Sequence, residues 1–178
     1  NTAAFFCSIL LLIIGFLYNW KFKKHGLLGN LMVSFSVGMT FIYGGISVGL
    51  PFNQIVLFFG VIAFLIDLGE EIAADAMDVK GDQLIHSRSL AIKYGRNSAL
   101  KICGFIFLIV IVLSGIPFLL KWFPTIYAVP ILIMDFSIGY STIRLLKSQN
   151  EEGRKYIRSI YLGATFGLVI FIFFRFKK

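Results

Sequence analysis

Six of the chain's nine carboxylate residues lie within a stretch of sixteen residues, 67–82. On a helix that turns about 100° per residue, five of them fall within an arc of about 80° and Glu70 points away from it. The five are Asp67, Glu71, Asp75, Asp78 and Asp82. Like charges on one helix face repel one another, so this arrangement predicts a neutralising cation. Clustered carboxylates without a neighbouring Cys suit a hard divalent ion such as Mg²⁺, which takes further ligands from substrate phosphates.

The alternative interpretation of the acidic stretch is a solvated loop whose acids pair with Lys80, Arg88 and Lys93. Two observations favour metal binding. The carboxylates share one face, and they follow directly on the apolar run QIVLFFGVIAFLI, where an ionised group near a bilayer also loses solvent. Gly81 is a candidate helix end, so Asp82 belongs to the arc only if the helix continues through that glycine.

A second polar stretch, YNWKFKKHGLLGN, covers residues 18–30. Tyr18 and Lys21 are three residues apart and therefore lie on one helix face, from which they could reach a phosphate group. The other interpretation is an ordinary basic loop with Tyr and Trp at the membrane interface. Composition alone favours this second interpretation.

The elements that position these residues are strongly apolar. The chain of 178 residues is 58% hydrophobic and 15% charged, with twenty Phe residues and a mean hydropathy of +0.85, whereas a soluble domain has about 25% charged residues. The long apolar runs lack the alternation of barrel strands and have the length of spanning helices. We therefore predict an all-α polytopic membrane bundle, one domain over 1–178, with six transmembrane helices at about 2–18, 27–48, 53–72, 99–120, 125–145 and 157–174.

The charge distribution predicts the orientation of this bundle. If six helices alternate, the first, third and fifth loops share one side and carry thirteen of the seventeen Lys and Arg residues. Basic loops face the cytoplasm, so we expect a multi-pass protein of the cell membrane with its acidic stretch on the cytoplasmic side. The net charge of +8 is then a sign of topology, and we expect no nucleic-acid partner. Cys7 and Cys103 lie in predicted spans and are expected to be inert buried thiols.

Several motifs of this chain resemble those of one known family. DAMDVKGD at 75–82, followed by HSRSLAIKYG at 86–95, resembles the second aspartate-rich motif of the UbiA superfamily of intramembrane prenyltransferases. The YxxK pattern from Tyr18 to Lys21, the Gly29-Asn30 pair and the glycine-rich helix GMTFIYGGISVG are similar to that family as well. Within the superfamily, the segments GNLMVSFSVGMTFIYGGISVG and EEIAADAMDVKGD are most similar to those of its archaeal lipid-synthesis members.

The resemblance implies a function and roles for particular residues. It implies Mg²⁺-dependent transfer of a geranylgeranyl group from an isoprenyl diphosphate donor to geranylgeranylglyceryl phosphate, a prenylated glycerol phosphate, within the lipid bilayer. Asp75, Asp78 and Asp82 would be catalytic metal ligands with Glu71 in support. The residues implied to contact the diphosphate are Tyr18, Lys21 and Arg88.

Two other functions remain open at this point. One keeps the prenyl donor but uses an aromatic acceptor, as in quinone or chlorophyll synthesis. The other is a membrane protein without enzymatic activity that carries divalent cations. A cation pore should place its acids along the membrane path, whereas here they gather at one end of the predicted bundle, which favours the enzymes.

The chain also departs from the family pattern. Members have about nine helices and two aspartate-rich motifs, but nothing like NDxxDxxxD precedes residue 67, and the six predicted helices correspond to the last six of the nine. Glu70 and Ala74 stand where many relatives have Arg and Lys. We therefore expect the domain to be N-terminally incomplete and these 178 residues to be inactive on their own.

Overall fold

The fold was analysed in a computed structural model, which describes residues 1–149 and 152–176. The described residues form helices, turns and connecting segments, and no strand occurs among them. Four of the seventeen Lys and Arg residues lie outside the first, third and fifth loops. Two of these four, Lys177 and Lys178, lie outside the described residues. The predicted all-α class is confirmed.

Six long helices account for most of the chain. They are α1 (Thr2–Trp20), α2 (Leu27–Ser47), α3 (Gln54–Met77), α6 (Arg96–Ser114), α8 (Ala128–Lys147) and α9 (Gly153–Phe176). Three short helices lie between them: α4 (Val79–Leu84), α5 (Leu90–Tyr94) and α7 (Ile116–Leu119). Each predicted span therefore corresponds to one long helix, except that the fourth is divided between α6 and α7 and the fifth begins in a 3-10 turn at Thr125–Tyr127 before α8.

Five helical stretches are long and apolar enough to cross a membrane: Thr2–Trp20, Leu27–Ser47, Arg96–Leu119, Thr125–Lys147 and Gly153–Phe176. Their number makes the chain a multi-pass membrane protein of the predicted kind. The sixth long helix, α3, has 24 residues, but its second half carries Asp67, Glu70 and Glu71. A membrane crossing by α3 stays a prediction.

The helices pack as a ring with a two-helix extension. α3 contacts α6, α6 contacts α8, α8 contacts α9, and α9 returns to α3, while α2 packs on α3 and α1 packs on α2. A continuous apolar core lies where α3 and α6 meet α8 and α9, and its most buried members are Ile72, Ala73, Ala99, Leu100, Cys103, Phe107, Val110, Ile138, Leu145 and Ile160. The ring holds α3 firmly, so the acids on its second half have a fixed support.

Both cysteines are free and buried. Cys103 lies in the core, and its thiol donates to the Leu100 carbonyl at 3.0 Å. Their predicted burial is confirmed.

Glycines allow the closest contacts between these helices. A side-chain carbon added at Gly38 on α2 would lie 2.7 Å from the carbonyl oxygen of Gly60 on α3, and one added at Gly69 would lie 2.6 Å from the ring of Phe107 on α6. Both contacts are closer than real Cβ atoms make. The close approach of α3 to α2 therefore requires Gly38 on α2. The close approach of α3 to α6 requires Gly69 on α3.

The acidic stretch does not form one continuous helix. α3 ends at Met77, Asp78 leaves the helical conformation at φ −121° and ψ 29°, and α4 begins at Val79. The prediction of one arc of five carboxylates on a continuous helix is therefore wrong beyond Asp75, and the candidate helix end at Gly81 is not where the helix stops. Gly81 lies inside α4 and leaves room for the Asp78 carboxylate, whose Oδ1 would lie 2.7 Å from a side-chain carbon at that position.

Candidate active site

Three segments converge at the end of the bundle where α3 finishes. The Arg88 backbone N–H, between α4 and α5, donates to the Lys24 carbonyl at 3.0 Å. Arg96, at the start of α6, donates through Nη2 to the Ser148 carbonyl at 3.1 Å. The loops that follow α1, α3 and α8 therefore lie together, as the predicted topology requires. That this end faces the cytoplasm stays a prediction.

Asp75, in the last turns of α3, is held by an amide on α2. The Asn30 side chain donates through Nδ2 to Asp75 Oδ2 at 2.9 Å, and Asn30 is only 7% exposed. An amide in an apolar helix is costly unless it is hydrogen-bonded, and its one side-chain partner here is a predicted metal ligand. Sequence reasoning noted Asn30 as part of a motif but gave it no role. An isolated Asn in an apolar helix was the available signal.

Asp78 lies at the break between α3 and α4, and Asp82 lies on α4. Asp78 makes an ion pair of 3.7 Å with Arg154, and because both side chains are more than half exposed this pair contributes little stability. Oδ2 of Asp82 is buried and has no hydrogen-bond partner in the described part of the chain. Burial raises the pKa of the Asp82 carboxyl, and a hydrogen bond from Ser89 opposes this shift.

Asp67 and Glu70 face a different part of the molecule. Both line a groove of about 890 Å³, part of it open to the outside, which runs between α2, α3, α6, α8 and α9. The predicted arc grouped Asp67 with Glu71 and Asp75 and set Glu70 apart, whereas the structure places Asp67 and Glu70 on the same groove. Asp67 Oδ2 and Glu70 Oε1 are buried without a hydrogen-bond partner among the described residues.

The rest of this groove is apolar. Its walls are mainly Phe41, Phe58, Phe59, Ile62, Ile66, Ile131, Met134, Leu168 and Phe171. Phe59 and Phe171 meet edge to face with ring centroids 5.1 Å apart, and Phe123 and Tyr127 extend the aromatic cluster. The groove therefore offers a hydrocarbon surface with carboxylates near one end. Sequence reasoning did not identify it, because its walls come from five separate helices.

The three residues implied to contact a diphosphate lie in two places. Tyr18 packs on Gly29 and lies within electrostatic range of Glu71 and Asp75. Lys21 follows α1 directly and is exposed, with its Nζ 5.9 Å from the centre of the Phe22 ring. Arg88 instead lines a separate cavity with His25 and Lys93. Contact of all three with one diphosphate stays a prediction.

The carboxylates suit a hard cation, although they are not gathered around one point. Among the residues that the structure describes, no three or more His, Cys, Asp or Glu side chains are close enough together to hold a metal ion. The chemistry fits nevertheless, since the donors are carboxylate oxygens and Oδ2 of Asp82 has no hydrogen-bond partner among the described residues. Glu71, Asp75, Asp78 and Asp82 as its ligands stay a prediction.

A multi-pass helical bundle with an apolar groove lined in part by carboxylates, and with Lys21 and Arg88 in the loops at the end where α3 finishes, is suited to anionic lipid precursors. This describes the class of protein; comparison with known proteins gives the family. Residues 1–163 match the UbiA prenyltransferase family. The chain belongs to that family, as its motifs predicted.

Curated relatives narrow the similarity to one kind of enzyme. The chain is 34% identical over 164 residues to a digeranylgeranylglyceryl phosphate synthase of Methanococcus aeolicus, covering 90% of this chain and 58% of that protein. Enzymes of the same name from Methanocaldococcus jannaschii and Archaeoglobus fulgidus are 32% and 33% identical, with 89% and 86% of this chain covered. The chain spans 54–58% of the length of these three relatives.

A solved structure is similar over nearly the whole chain. It was reported under the words "Structural and mechanistic insights into the biosynthesis of Digeranylgeranylglyceryl phosphate synthase in membranes". The TM-score is 0.84 at 29% sequence identity, covering 97% of this chain and 61% of the solved one. The helical arrangement described above is therefore also the arrangement of a related protein.

Proposed function

We propose that the protein is an intramembrane prenyltransferase of archaeal lipid synthesis. It transfers a geranylgeranyl group from geranylgeranyl diphosphate to the free hydroxyl of geranylgeranylglyceryl phosphate. The observation that carries this proposal is the similarity, over nine tenths of the chain, to an enzyme named digeranylgeranylglyceryl phosphate synthase. The groove supports it, because a long prenyl chain needs a hydrocarbon surface that begins beside anion-binding chemistry.

The proposed reaction exchanges one C–O bond for another. The bond between the allylic carbon and the diphosphate breaks, and the diphosphate leaves with both electrons. The oxygen of the acceptor hydroxyl forms a new ether bond to the allylic carbon, and the hydroxyl proton passes to the released diphosphate. When bound, Mg²⁺ neutralises charge that develops on the leaving diphosphate.

The chain's own residues have three tasks in this reaction. Tyr18 and Lys21 contact the diphosphate, which favours its departure as an anion. The carboxylates of Glu71, Asp75, Asp78 and Asp82 hold the cation, with Asp75 oriented by Asn30. The apolar groove lined by Phe41, Phe59 and Phe171 binds the prenyl tail and excludes water, which would otherwise capture the allylic cation.

The test is a product assay on membranes that contain the complete protein. The membranes receive geranylgeranyl diphosphate, Mg²⁺ and geranylgeranylglyceryl phosphate, and the lipid product is identified by mass spectrometry. We expect the doubly prenylated glycerol phosphate. A parallel reaction with a hydroxylated aromatic acceptor tests the alternative of quinone- or chlorophyll-type chemistry, and product from that reaction alone would contradict the proposal.

A further inference from the structure

The segment after α1 and the segment between α4 and α5 are fastened to each other. Gly26 adopts φ +55°, a conformation that favours glycine, and lies against the backbone of Arg88 and Ser89 so closely that an added side-chain carbon would overlap it. The Arg88 N–H completes the contact by donating to the Lys24 carbonyl at 3.0 Å. Both segments therefore act as fixed walls.

A cavity lies beside this contact, with about 980 Å³ of space including the part open to solvent. One part of its lining is polar and the other is apolar. The polar part is His25, Ser87, Arg88 and Lys93, and the apolar part is Leu27, Leu90, Ile92 and Tyr94. It shares no lining residue with the apolar groove, so it is a second binding space.

The cavity carries uncompensated positive charge. In residues 1–149 and 152–176 no carboxylate lies within 4.0 Å of a charged nitrogen of Arg88 or Lys93, and the ion pair that the structure does show joins Arg154 to Asp78. Lys93 Nζ lies 4.9 Å from the centre of the Tyr94 ring, which leaves its donors available. Nδ1 of His25 is buried without a hydrogen-bond partner in the described part of the chain. These donors suit an anion with several acceptor oxygens.

The cavity adjoins the acidic site without containing any of its acids. The backbone N–H of Ser87, a lining residue, donates to the Asp82 carbonyl at 2.9 Å. An anion in the cavity would therefore lie close to the site where the diphosphate is proposed to leave. The cations that would hold it are Arg88 and Lys93. They differ from Lys21, which is proposed to contact the diphosphate.

We infer that this cavity binds the phosphate monoester of the acceptor, an inference that rests on the proposed function. In that reaction both substrates are anionic. The donor loses its diphosphate, whereas the acceptor keeps its phosphate monoester. Two anions held together at one cation would repel each other, so the acceptor phosphate needs a separate cationic site. The apolar wall of Leu27 and Leu90 then contacts the part of the acceptor's prenyl chain that is nearest to the glycerol. Arg88 is thereby assigned to the acceptor and not to the donor diphosphate.

The first experiment measures KM for each substrate on the complete protein. The variants are Arg88→Gln and Lys93→Gln, with Lys80→Gln as control because Lys80 is exposed on α4 outside the cavity. The acceptors are geranylgeranylglyceryl phosphate and the same alcohol without its phosphate. We expect each cavity variant to raise KM for the phosphorylated acceptor by about 10-fold or more, the size expected for a lost hydrogen bond between charged groups. KM for the dephosphorylated alcohol and for the donor should not change.

Three results would overturn the inference. A rise in KM for the donor would return Arg88 to the diphosphate. Equal rises for both acceptors would mean that the cavity holds a membrane-lipid headgroup or only supports the fold. An effect of Lys80→Gln as large as that of Arg88→Gln would show that general surface charge is responsible.

A second experiment does not depend on turnover, so it separates failure of this inference from failure of the proposed function. Exposed Lys93 is acetylated in the complete protein, and its modification is followed by mass spectrometry. Glycerol phosphate should protect Lys93 at least several-fold in the wild type and not in Arg88→Gln, whereas glycerol should protect neither. Absence of protection by glycerol phosphate in the wild type would overturn the inference even if prenyl transfer is found.

Discussion

At the scale of single residues, the acids that look alike in the sequence lie in different environments. Asp75 is oriented by Asn30, and Asp78 is paired with Arg154 at the surface. Asp82 is partly buried, and one of its oxygens has no hydrogen-bond partner within residues 1–149 and 152–176. Asp67 and Glu70 line the apolar groove. Residue types and spacing predicted a cation site here, but only the contacts distinguish an oriented ligand from a solvated acid.

Replacing Asp78 or Asp82 with Asn in the complete protein should abolish Mg²⁺-dependent prenyl transfer. The amide keeps the size of the side chain but removes the charge that a hard cation requires. Both residues lie outside the apolar core, so membrane insertion and expression should remain as in the wild type. Turnover is measured by product formation across a Mg²⁺ titration. Wild-type turnover of both variants at saturating Mg²⁺ would contradict the metal assignment.

Replacing Asn30 with Ala should raise the Mg²⁺ concentration needed for half-maximal activity by about 10- to 100-fold, the usual effect of losing a residue that orients a metal ligand. The reason is the 2.9 Å hydrogen bond from Asn30 to Asp75. Asn19→Ala is the matched control, because Asn19 is exposed and donates only to the Gly15 carbonyl of its own helix. An unchanged Mg²⁺ requirement in Asn30→Ala would show that Asp75 needs no such support.

At the scale of helices, hydropathy predicted where the long elements lie, because each has to match the thickness of a bilayer. The break at Asp78 could not be predicted in this way. The spacing of the carboxylates continues helical periodicity across the break, and Gly81 is the more conspicuous helix breaker. Gly81 instead serves close contact with Asp78. The cavity around Arg88 was equally hidden, since it forms between segments about sixty residues apart in the sequence.

Replacing Gly69 with Ala should destabilise the protein by about 1–3 kcal/mol, the typical effect of overpacking. The added methyl group would lie 2.6 Å from the ring of Phe107, which is fully buried and cannot move aside. Thermal stability in detergent is measured by loss of the monodisperse peak after heating. Gly15→Ala is the control, since nothing lies within 4 Å of that position.

The double variant Gly69→Ala with Phe107→Leu tests the cause. A smaller side chain at 107 should restore part of the stability lost by Gly69→Ala. If the loss of stability in the double variant equals the sum of the losses in Gly69→Ala and Phe107→Leu, the contact between Gly69 and Phe107 does not explain the effect.

At the scale of the whole molecule, three loops lie at one end of the bundle, and together they carry most of the basic residues. We expect this end to face the cytoplasm. Single cysteines at Lys23, Leu84 and Gln149, one in each loop, test this with a membrane-impermeant thiol reagent applied to intact cells. Native Cys7 and Cys103 are buried, so they give little background.

All three positions should be labelled only after the cells are opened. A cysteine in place of Ile126, which is exposed at the opposite end between α7 and α8, should react from outside. Rapid labelling of any of the three loop positions in intact cells would contradict the predicted topology.

The contact between Gly38 and Gly60 has a consequence for how the chain enters the membrane. α3 has an apolar run of only thirteen residues, 54–66, before Asp67, and an Asp at the centre of a helix opposes insertion by about 2.5–3.5 kcal/mol. α2 ends at Ser47, only a short loop before α3 begins at Gln54, and it provides both the glycine contact and the Asn30 amide. We therefore expect α3 to insert with α2 as a helical hairpin. In a glycosylation-reporter insertion assay, α3 alone should integrate poorly and α2 should rescue it. Gly38→Leu on α2 should remove the rescue, because a side chain there would meet the Gly60 carbonyl at 2.7 Å; efficient integration of α3 alone would contradict this order of biogenesis.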